Sequence, residues 1–259
     1  KDLFNYAEKI GITIFSSPFD RTAVDLLEDL NAPAYKIASF EAIDLPLIEY
    51  VAQTGKPVII STGMADADEI EEAIVAAKDA GCKELAILHC VSGYPAPPED
   101  YNLNTILELR RKFGLVTGLS DHTLDNNTAI ASVALGASII EKHFTLNRSG
   151  GGPDDSFSLE PKEMNNLCYG ANVAWSALGK INFSRKPSEK ANIQFRRSLY
   201  FVKDLRSGDI ISEDSVKSVR PGFGLPPKFL KEVIGQKITM NISKNTPVKN
   251  EHLFNPIDL

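Results

Sequence analysis

The sequence predicts an α/β protein, in which a TIM (β/α)8-type barrel lacking its first two βα units precedes a small β-rich domain. Two observations lead to this fold class. Short apolar segments alternate with amphipathic helical segments through the first 180 residues, which is the cadence of βα units in a parallel sheet. Beyond a polar stretch at residues 181–195, this alternation is replaced by short strand-like pieces and turns.

Six apolar segments are predicted as strands, because their near-continuous apolar character fits a parallel sheet that is covered on both faces. A closed barrel contains eight βα units, so two units are missing from the pattern. The alternative is a doubly wound open sheet, although no Gly-x-Gly-x-x-Gly loop follows the first strand. The predicted strands are Ile12–Phe15, Tyr35–Ala38, Pro57–Ile60, Leu85–His89, Leu115–Leu119 and Ser138–Glu141.

Helices are predicted between these strands from the spacing of apolar residues. They cover Thr22–Leu30, Leu45–Thr54, Asp66–Ala80, Leu103–Phe113, Asn126–Leu135 and Pro161–Leu178. Trp175 lies in the last of these segments and is expected in the core. Five glycines fall between a helix and the next strand, where a left-handed cap is favoured; they are Gly11, Gly55, Gly81, Gly114 and Gly136. The repeating unit is therefore helix, glycine, strand and loop.

The pattern divides the chain into a partial barrel at residues 1–180, a linker at 181–195 and a β-rich domain at 196–259. The charged residues are also distributed unevenly between the two parts of the chain. Residues 196–259 carry 11 Lys and Arg against 7 Asp and Glu, whereas residues 1–195 carry 17 against 27. Such an asymmetry favours two domains of different character, although chance variation among solvated surface residues explains it equally well.

The composition excludes several classes of protein. The 259 residues carry a net charge of −6, which disfavours nucleic acid as a partner. No apolar run approaches the roughly 20 residues that span a bilayer, so no membrane association is predicted. Three cysteines without metal-ligand spacing indicate reduced thiols and hence a cytoplasmic protein.

Polar side chains follow every predicted strand, at the carboxyl ends where barrel enzymes build their active sites. His122 and His143 end two neighbouring strands, and neutral imidazoles suit a divalent first-row metal with open positions for substrate. Two hydrogen-bonded histidines without a metal are the alternative. Glu41 and Glu141 are candidate general acid–base groups, or else structural ion-pair partners.

Lys36 and several hydroxyls form a second candidate group, because a cation with hydroxyl donors can hold a phosphate or a carboxylate. The hydroxyls belong to Ser39, Ser61 and Ser120. An ion pair between Lys36 and Glu41 is an equally good interpretation. His89 and Cys90 are adjacent in one strand and therefore point to opposite faces, so they are not expected to form a thiol–imidazole pair.

A series of motifs, in order over nearly the whole chain, resembles the sialic acid synthase family. The motifs are Tyr35-Lys-Ile-Ala-Ser-Phe-Glu41, Ser61-Thr-Gly-Met64, His89-Cys-Val-Ser-Gly-Tyr-Pro95, Gly118-Leu-Ser-Asp-His-Thr123, Glu141-Lys-His-Phe-Thr145, Gly152-Pro-Asp154, Ser158-Leu-Glu-Pro161 and Val219-Arg-Pro-Gly222. This family joins a phosphoenolpyruvate-binding TIM barrel to a C-terminal antifreeze-like (SAF) domain. The resemblance therefore implies an SAF domain at residues 196–259.

The resemblance also implies a reaction. The family condenses phosphoenolpyruvate with an N-acetylated amino sugar, releases phosphate and requires a divalent metal, Mn²⁺ or Mg²⁺. Residues 89–94 and 151–158 are more similar to the pseudaminic acid branch than to the N-acetylneuraminate enzymes, which usually carry Asn where Ser92 stands. The implied acceptor is 2,4-diacetamido-2,4,6-trideoxy-altrose, and N-acetylneuraminate or legionaminate synthesis is the alternative.

Roles are implied residue by residue as well. His122 and His143 match metal ligands, and Glu41 and Glu141 match active-site carboxylates. Arg220 matches an arginine that reaches into the partner subunit's active site, which implies a domain-swapped homodimer. The implied substrate contacts are Lys36, Ser39, Ser61, Ser120 and Ser17 for phosphoenolpyruvate, and Tyr94 and Asp154, with Ser92 beside them, for the sugar.

Two other classes of function remain open. A Schiff-base aldolase would use Lys36 or Lys142 without a metal, and a degenerate barrel would bind a sugar acid without turnover. The family's first strand carries a Glu and its second a Lys, and neither segment is found here. We therefore expect an N-terminally truncated barrel with two exposed sheet edges, and little or no activity of this chain alone.

Overall fold

The computed structural model describes residues 1–258, which fold as two compact units that divide after Lys180. In the larger unit the elements are α1 (Asp2–Ile10), α2 (Arg21–Asp29), β1 (Tyr35–Ile37), α3 (Leu45–Ala52), β2 (Val58–Ser61), α4 (Ala67–Asp79), β3 (Leu85–Cys90), α5 (Thr105–Phe113), β4 (Val116–Asp121), α6 (Asn127–Ala134), β5 (Ile139–Lys142) and α7 (Pro161–Leu178). The predicted alternation of strands and helices is confirmed. Apart from the first predicted strand, every predicted element is present with small differences at its ends.

The five strands form one parallel sheet in the order β1-β2-β3-β4-β5. In a flat sheet, β1 and β5 would lie about 19 Å apart. Yet the Lys36 Nζ on β1 lies 3.6 Å from Glu141 Oε2 on β5. The sheet is therefore curled as in a barrel, and the predicted TIM-type fold is confirmed as an open, partial barrel.

The first predicted strand, Ile12–Phe15, is wrong as a strand. Within the described residues, Ile12–Phe15 forms no strand, and Ser16, which follows it, forms an isolated parallel bridge with Tyr35. Ile12 is 61% exposed. The physical reason is that, within residues 1–258, no further strand pairs with the outer side of this segment, so its backbone gains few ladder hydrogen bonds.

The opposite edge of the sheet is open as well. Within the described residues, β5 pairs only with β4, and the neighbouring helix α7 exposes apolar side chains. Trp175 is 70% exposed, so its predicted place in the core is wrong. Periodicity identifies which side of a helix is apolar, but here no strand of residues 1–258 covers that side.

Local signals in the sequence explain where the helices begin and end. Helix α4 starts with a capping box, in which the Asp66 carboxylate accepts from the Glu69 backbone N–H at 3.0 Å and Glu69 Oε2 accepts from the Asp66 N–H at 2.9 Å. The glycines predicted to follow helices all have positive φ. These caps end the helices and turn the chain towards the segment that follows.

The smaller unit has its own apolar core and is rich in short β pieces. Strands β6 (Ser198–Phe201) and β7 (Val216–Val219) pair antiparallel, a short helix α8 spans Leu230–Val233, and isolated bridges connect other segments. Much of the segment predicted as a linker forms 3₁₀ turns at Pro187–Phe195. Among the helices of residues 1–258, none combines the length and the apolar composition of a membrane span.

Gly118 controls how closely β4 and β5 approach each other. A Cβ at this position would lie 2.3 Å from the Ile139 carbonyl oxygen and 2.6 Å from Leu88 Cδ2. We expect Gly118→Ala to reduce the free energy of unfolding by about 1–3 kcal/mol, because the strands must separate. Urea unfolding followed by far-UV circular dichroism measures this. Val116→Ala on the same strand, where Val116 is half exposed, is the control, and equal midpoints for both variants would contradict the prediction.

Candidate active site

Strands β4 and β5 end at matched positions. Ser120 is the register partner of Glu141, and Asp121 is the register partner of Lys142. Because side chains alternate between the two faces of a strand, the first pair faces the barrel interior together with the histidines that follow each strand. The second pair lies on the outer face. The sequence periodicity thus separates the residues of the site from those behind it.

Lys36 places a buried cation in the interior. Its side chain is 7% exposed, and Nζ lies 3.6 Å from Glu141 Oε2 and donates to the Ile37 carbonyl at 3.1 Å. Burial lowers the pKa of Lys36, although the Glu141 carboxylate opposes this shift. The Ser120 hydroxyl donates to Glu141 at 2.9 Å. The alternative pairing of Lys36 with Glu41 is not the one formed, since Glu141 is the salt-bridge partner.

Two buried polar atoms near this cation have no hydrogen-bond partner among the described residues. They are the Ser61 hydroxyl and Glu41 Oε2, and Ser61 is 1% exposed. Ser39 is also buried and accepts from the Gly63 backbone N–H at 3.2 Å. Unsatisfied buried polar atoms are costly, so this part of the interior suits a polar ligand that completes their bonding.

His122 and His143 lie side by side, as the neighbouring strands predict, and their ring centroids are 5.3 Å apart. His122 Nδ1 lies 2.8 Å from the Val91 carbonyl, and His143 Nδ1 lies 3.4 Å from Asp154 Oδ2. These contacts occupy both Nδ1 atoms and leave both Nε2 atoms for another ligand. Two imidazoles bound to one ion through bonds of about 2.1 Å have ring centres roughly 5 Å apart, so the pair fits a shared metal ion.

The two imidazoles differ electrostatically. Burial and the nearby charge of His122 lower the pKa of His143, which favours the neutral form that binds metals. Burial acts in the same direction on His122, but its hydrogen bonds to Cys90 and Val91 outweigh this and raise its pKa. Within residues 1–258, no three His, Cys, Asp or Glu side chains converge as a metal cage. A metal held by this pair would have two protein ligands, His122 and His143, and would take its other ligands from water or substrate.

An aromatic wall stands beside the histidines. The Tyr94 ring lies 4.3 Å from the His122 ring, and Phe157 lies 5.1 Å from the His143 ring. Tyr94 is 43% exposed and is available to a substrate. Phe157 was not anticipated from the sequence. Its signal is its place in the glycine-rich segment that also carries Asp154, which folds against the histidines.

Cys90 is the interior residue that sequence reasoning passed over. His89 faces outward and contacts the Tyr101 carbonyl, so the prediction that His89 and Cys90 face opposite sides is confirmed. The Cys90 Sγ instead lies 3.3 Å from the Ser39 hydroxyl and 4.0 Å from His122 Nδ1. The alternation of side chains along a strand would have predicted this interior position, because Cys90 is the register partner of the interior residue Ser120.

Four predicted residues lie apart from this cluster or at its margin. Ser17 is half-buried next to the Ser16 bridge and makes no side-chain hydrogen bond within the described residues. Ser92 lies 4.0 Å from Cys90 Sγ. Arg220 is exposed on the smaller unit. Lys142 is bound to Asp121 at 2.7 Å on the outer face, so Lys142 is not available to form a Schiff base in the interior.

Comparison with known proteins agrees with this architecture. Residues 1–183 match the NeuB family, and residues 196–253 match the SAF domain. A pseudaminic acid synthase from Helicobacter pylori is 42% identical over 254 residues, which are 97% of this chain and 74% of the relative. An N,N'-diacetyllegionaminic acid synthase from Campylobacter jejuni is 38% identical over 252 residues, 96% of this chain and 75% of the relative.

A solved structure supports the same relationship. The spore coat polysaccharide biosynthesis protein spsE from Bacillus subtilis has a TM-score of 0.66 and 32% identity, over 99% of this chain and 77% of that chain. Because the curated relatives are synthases of sialic-acid-like sugars, the chain is a transferase-type synthase. Its family match and the relatives above 30% identity along nearly its whole length show that the chain belongs to the NeuB family of phosphoenolpyruvate-condensing, sialic-acid-type synthases.

Proposed function

We propose that this chain condenses phosphoenolpyruvate with 2,4-diacetamido-2,4,6-trideoxy-altrose and water, forming pseudaminic acid and phosphate in the cytoplasm. The observation that carries the proposal is the meeting of a buried cation, an unpartnered hydroxyl and two histidines with free Nε2 atoms in one interior. The choice of acceptor is supported by the 42% identity to a pseudaminic acid synthase. The free cysteines of the chain support a reducing compartment.

Lys36 is the main anchor for phosphoenolpyruvate. Among residues 1–258, its buried ammonium has only the Ile37 carbonyl and the Glu141 carboxylate as partners. An anionic substrate makes a stronger, charge-assisted bond in such a place. Ser61 donates its otherwise unpartnered hydroxyl to the same anion, and Ser39 and Ser120 offer further hydroxyls in the same interior. These groups hold the enol carbon of the substrate in attack geometry.

His122 and His143 would hold the divalent metal, Mn²⁺ or Mg²⁺, through Nε2. A metal held there would supply Lewis-acid chemistry, which would polarise the aldehyde of the open-chain sugar and stabilise the negative charge that develops on its oxygen. The Val91 carbonyl and the Asp154 carboxylate orient the imidazoles through Nδ1, as outer ligands usually do. Tyr94 forms the aromatic side of the sugar pocket.

The carboxylates move the protons. The enol carbon bonds to the sugar's aldehyde carbon, whose oxygen takes up a proton from solvent and becomes a hydroxyl, and the phosphate-bearing carbon becomes a cation. Water adds to this cation, and Glu41, with its unpartnered Oε2, accepts the proton that the water loses and returns it to solvent. Cleavage of the carbon–oxygen bond then releases phosphate, which takes the proton of the added hydroxyl, and leaves the 2-keto acid. Glu141 stabilises the cationic stage between Ser120 and Lys36.

The working unit of the proposal is a domain-swapped homodimer. Arg220 lies exposed on the smaller unit, where its guanidinium is free to reach a neighbouring subunit's substrate anion. Ser17 contributes a further hydroxyl near the sheet edge. Both roles rest on the family resemblance, and the exposure of Arg220 supports them.

Phosphate release from phosphoenolpyruvate tests the proposal. The assay uses Mn²⁺, the diacetamido-altrose or N-acetylmannosamine as acceptor, and a chelator control. It compares this chain with a fusion that places the family's two N-terminal βα units before Lys1. We expect metal-dependent release in the fusion, with at least about tenfold preference for the altrose, and little release from the chain alone. No release with either sugar from either protein would contradict the proposal.

The open sheet edges favour a second candidate, a fragment that binds its ligands without turning them over. Calorimetric titration of this chain with phosphoenolpyruvate distinguishes the two. Saturable binding without phosphate release, in the chain and in the fusion alike, would support the binding fragment. A Schiff-base aldolase on Lys36 would release no phosphate and would be insensitive to a chelator.

A further inference from the structure

The outer face behind the two histidines carries a buried ion pair that the proposed chemistry does not use. The side chains of Lys142 and Asp121 are 2% and 0% exposed, and Nζ lies 2.7 Å from Oδ2. Removing two charges from water costs about as much as their attraction returns, so a buried pair is weak evidence for stability. A contribution to stability therefore does not explain why this ion pair is buried here.

The Lys142 ammonium forms hydrogen bonds with several groups of the loop that follows β4. It donates to the Thr123 carbonyl at 2.6 Å and to the Asp125 carbonyl at 2.8 Å, and it lies 3.2 Å from the Thr123 hydroxyl. The Asp121 carboxylate holds the same loop by accepting from the Thr123 backbone N–H at 2.9 Å. Residues 121–125 are thus wrapped around one buried charge.

This ion pair ties together the two backbone positions that carry the imidazoles. His122 lies within the wrapped loop, and His143 directly follows Lys142 on the next strand. Asp121 and Lys142 are register partners, so their bond sets the relative height of both strand ends. Tyr101 adds a second tie, because its buried hydroxyl accepts from the His122 backbone N–H at 2.6 Å.

We propose that Asp121 and Lys142 are positioning residues for the divalent-metal site, which hold His122 and His143 at the separation that one ion requires without touching the ion. The inference rests on the proposed function and extends it to the opposite face of the sheet. A buried charge that donates several directional hydrogen bonds to one loop specifies the conformation of that loop. Removing residues that orient metal ligands typically weakens metal binding 10- to 100-fold.

The test uses the Asp121→Asn/Lys142→Met double variant of the full chain, which removes both charges and leaves neither buried alone. Mn²⁺ affinity is measured by electron paramagnetic resonance, and the visible spectrum of bound Co²⁺ reports the coordination geometry. We expect Mn²⁺ binding at least about tenfold weaker and an altered Co²⁺ spectrum. Far-UV circular dichroism is expected to stay close to wild type, because the double variant leaves no unpaired charge buried.

The matched control breaks a different ion pair. Lys112→Met removes the pair with Glu71, 2.8 Å long, between the surfaces of α5 and α4. This variant is expected to bind Mn²⁺ and Co²⁺ as the wild type does. A similar loss in the control would mean that the double variant weakens metal binding through general stability, which would overturn the inference.

A metal-free measurement keeps this inference separate from the proposed function. The chain has four histidines, so the imidazole ¹⁵N signals can be assigned individually. We expect the signals of His122 and His143 to move in the double variant, while that of His252 in the smaller unit stays in place. If the wild type binds no Mn²⁺ but these signals move, the proposed metal site fails and the positioning role stands. Unchanged imidazole signals, or unchanged Mn²⁺ affinity in a wild type that binds the metal, overturn the positioning role.

Discussion

Replacing both His122 and His143 by glutamine is expected to abolish saturable Mn²⁺ binding, and each single replacement to weaken it about 100-fold. The reason is geometric. The two rings lie 5.3 Å apart with both Nδ1 atoms engaged, and the described residues offer no third protein ligand that would retain the ion. Electron paramagnetic resonance of free Mn²⁺ measures the effect directly, without reference to turnover.

The matched control is His252→Gln. His252 is buried in the smaller unit, so this variant is expected to leave Mn²⁺ binding unchanged.

The pH dependence of Mn²⁺ affinity has a defined sign. Metal binding needs neutral imidazole, and the pKa of His122 is raised above 6.5 whereas that of His143 is lowered. Mn²⁺ affinity should therefore fall as the pH drops through the raised pKa of His122. Full Mn²⁺ binding by the double variant would remove these histidines from the site.

Replacing Lys36 by methionine is expected to weaken phosphoenolpyruvate binding roughly 100-fold, equivalent to about 2.7 kcal/mol. Methionine keeps most of the side-chain volume but removes the buried ammonium. The substrate then loses a charge-assisted bond to a buried ammonium, and the Glu141 carboxylate 3.6 Å away is no longer neutralised. Isothermal titration calorimetry with phosphoenolpyruvate measures the loss.

Lys56→Met is the control, because Lys56 precedes β2 and pairs at 2.6 Å with Glu28, at the opposite end of the strands from the site. It is expected to leave phosphoenolpyruvate affinity unchanged.

Burial lowers the pKa of Lys36 from 10.5, so wild-type affinity for phosphoenolpyruvate should fall at alkaline pH before 10.5 is reached. Lys36→Arg keeps its charge throughout this range and should lose that dependence. Equal affinities of Lys36→Met and wild type would exclude Lys36 as the anion anchor.

Much of the larger unit could be predicted because its signals are local. The glycines that end helices, the capping box at Asp66 and the apolar strands depend on residues a few positions apart. Parity along a strand places Ser120 and Glu141 on one face and Asp121 and Lys142 on the other. The family motifs lie at the same strand ends. The membership of the chain in the NeuB family is confirmed.

Other features depended on partners that local patterns do not specify. Ile12–Phe15 has the composition of a strand, but a strand forms only where neighbours supply ladder bonds. Trp175 lies on an apolar helix side that no strand of residues 1–258 covers. Local periodicity reports what a segment would bury if a neighbour were present, and it does not report whether the neighbour is there.

The βα order and the types of residue at the strand ends follow from the amino-acid sequence, because each is encoded over a few neighbouring positions. Which of these side chains meet depends on how the strands pair and curl. Lys36 contacts Glu141 rather than Glu41 because the sheet curls, and Cys90 contacts His122 rather than His89 because parity separates adjacent residues. Lys142 is held by Asp121 on the outer face for the same reason. Contacts between residues far apart in the chain arise from the pairing and curling of the strands, which no short segment encodes alone.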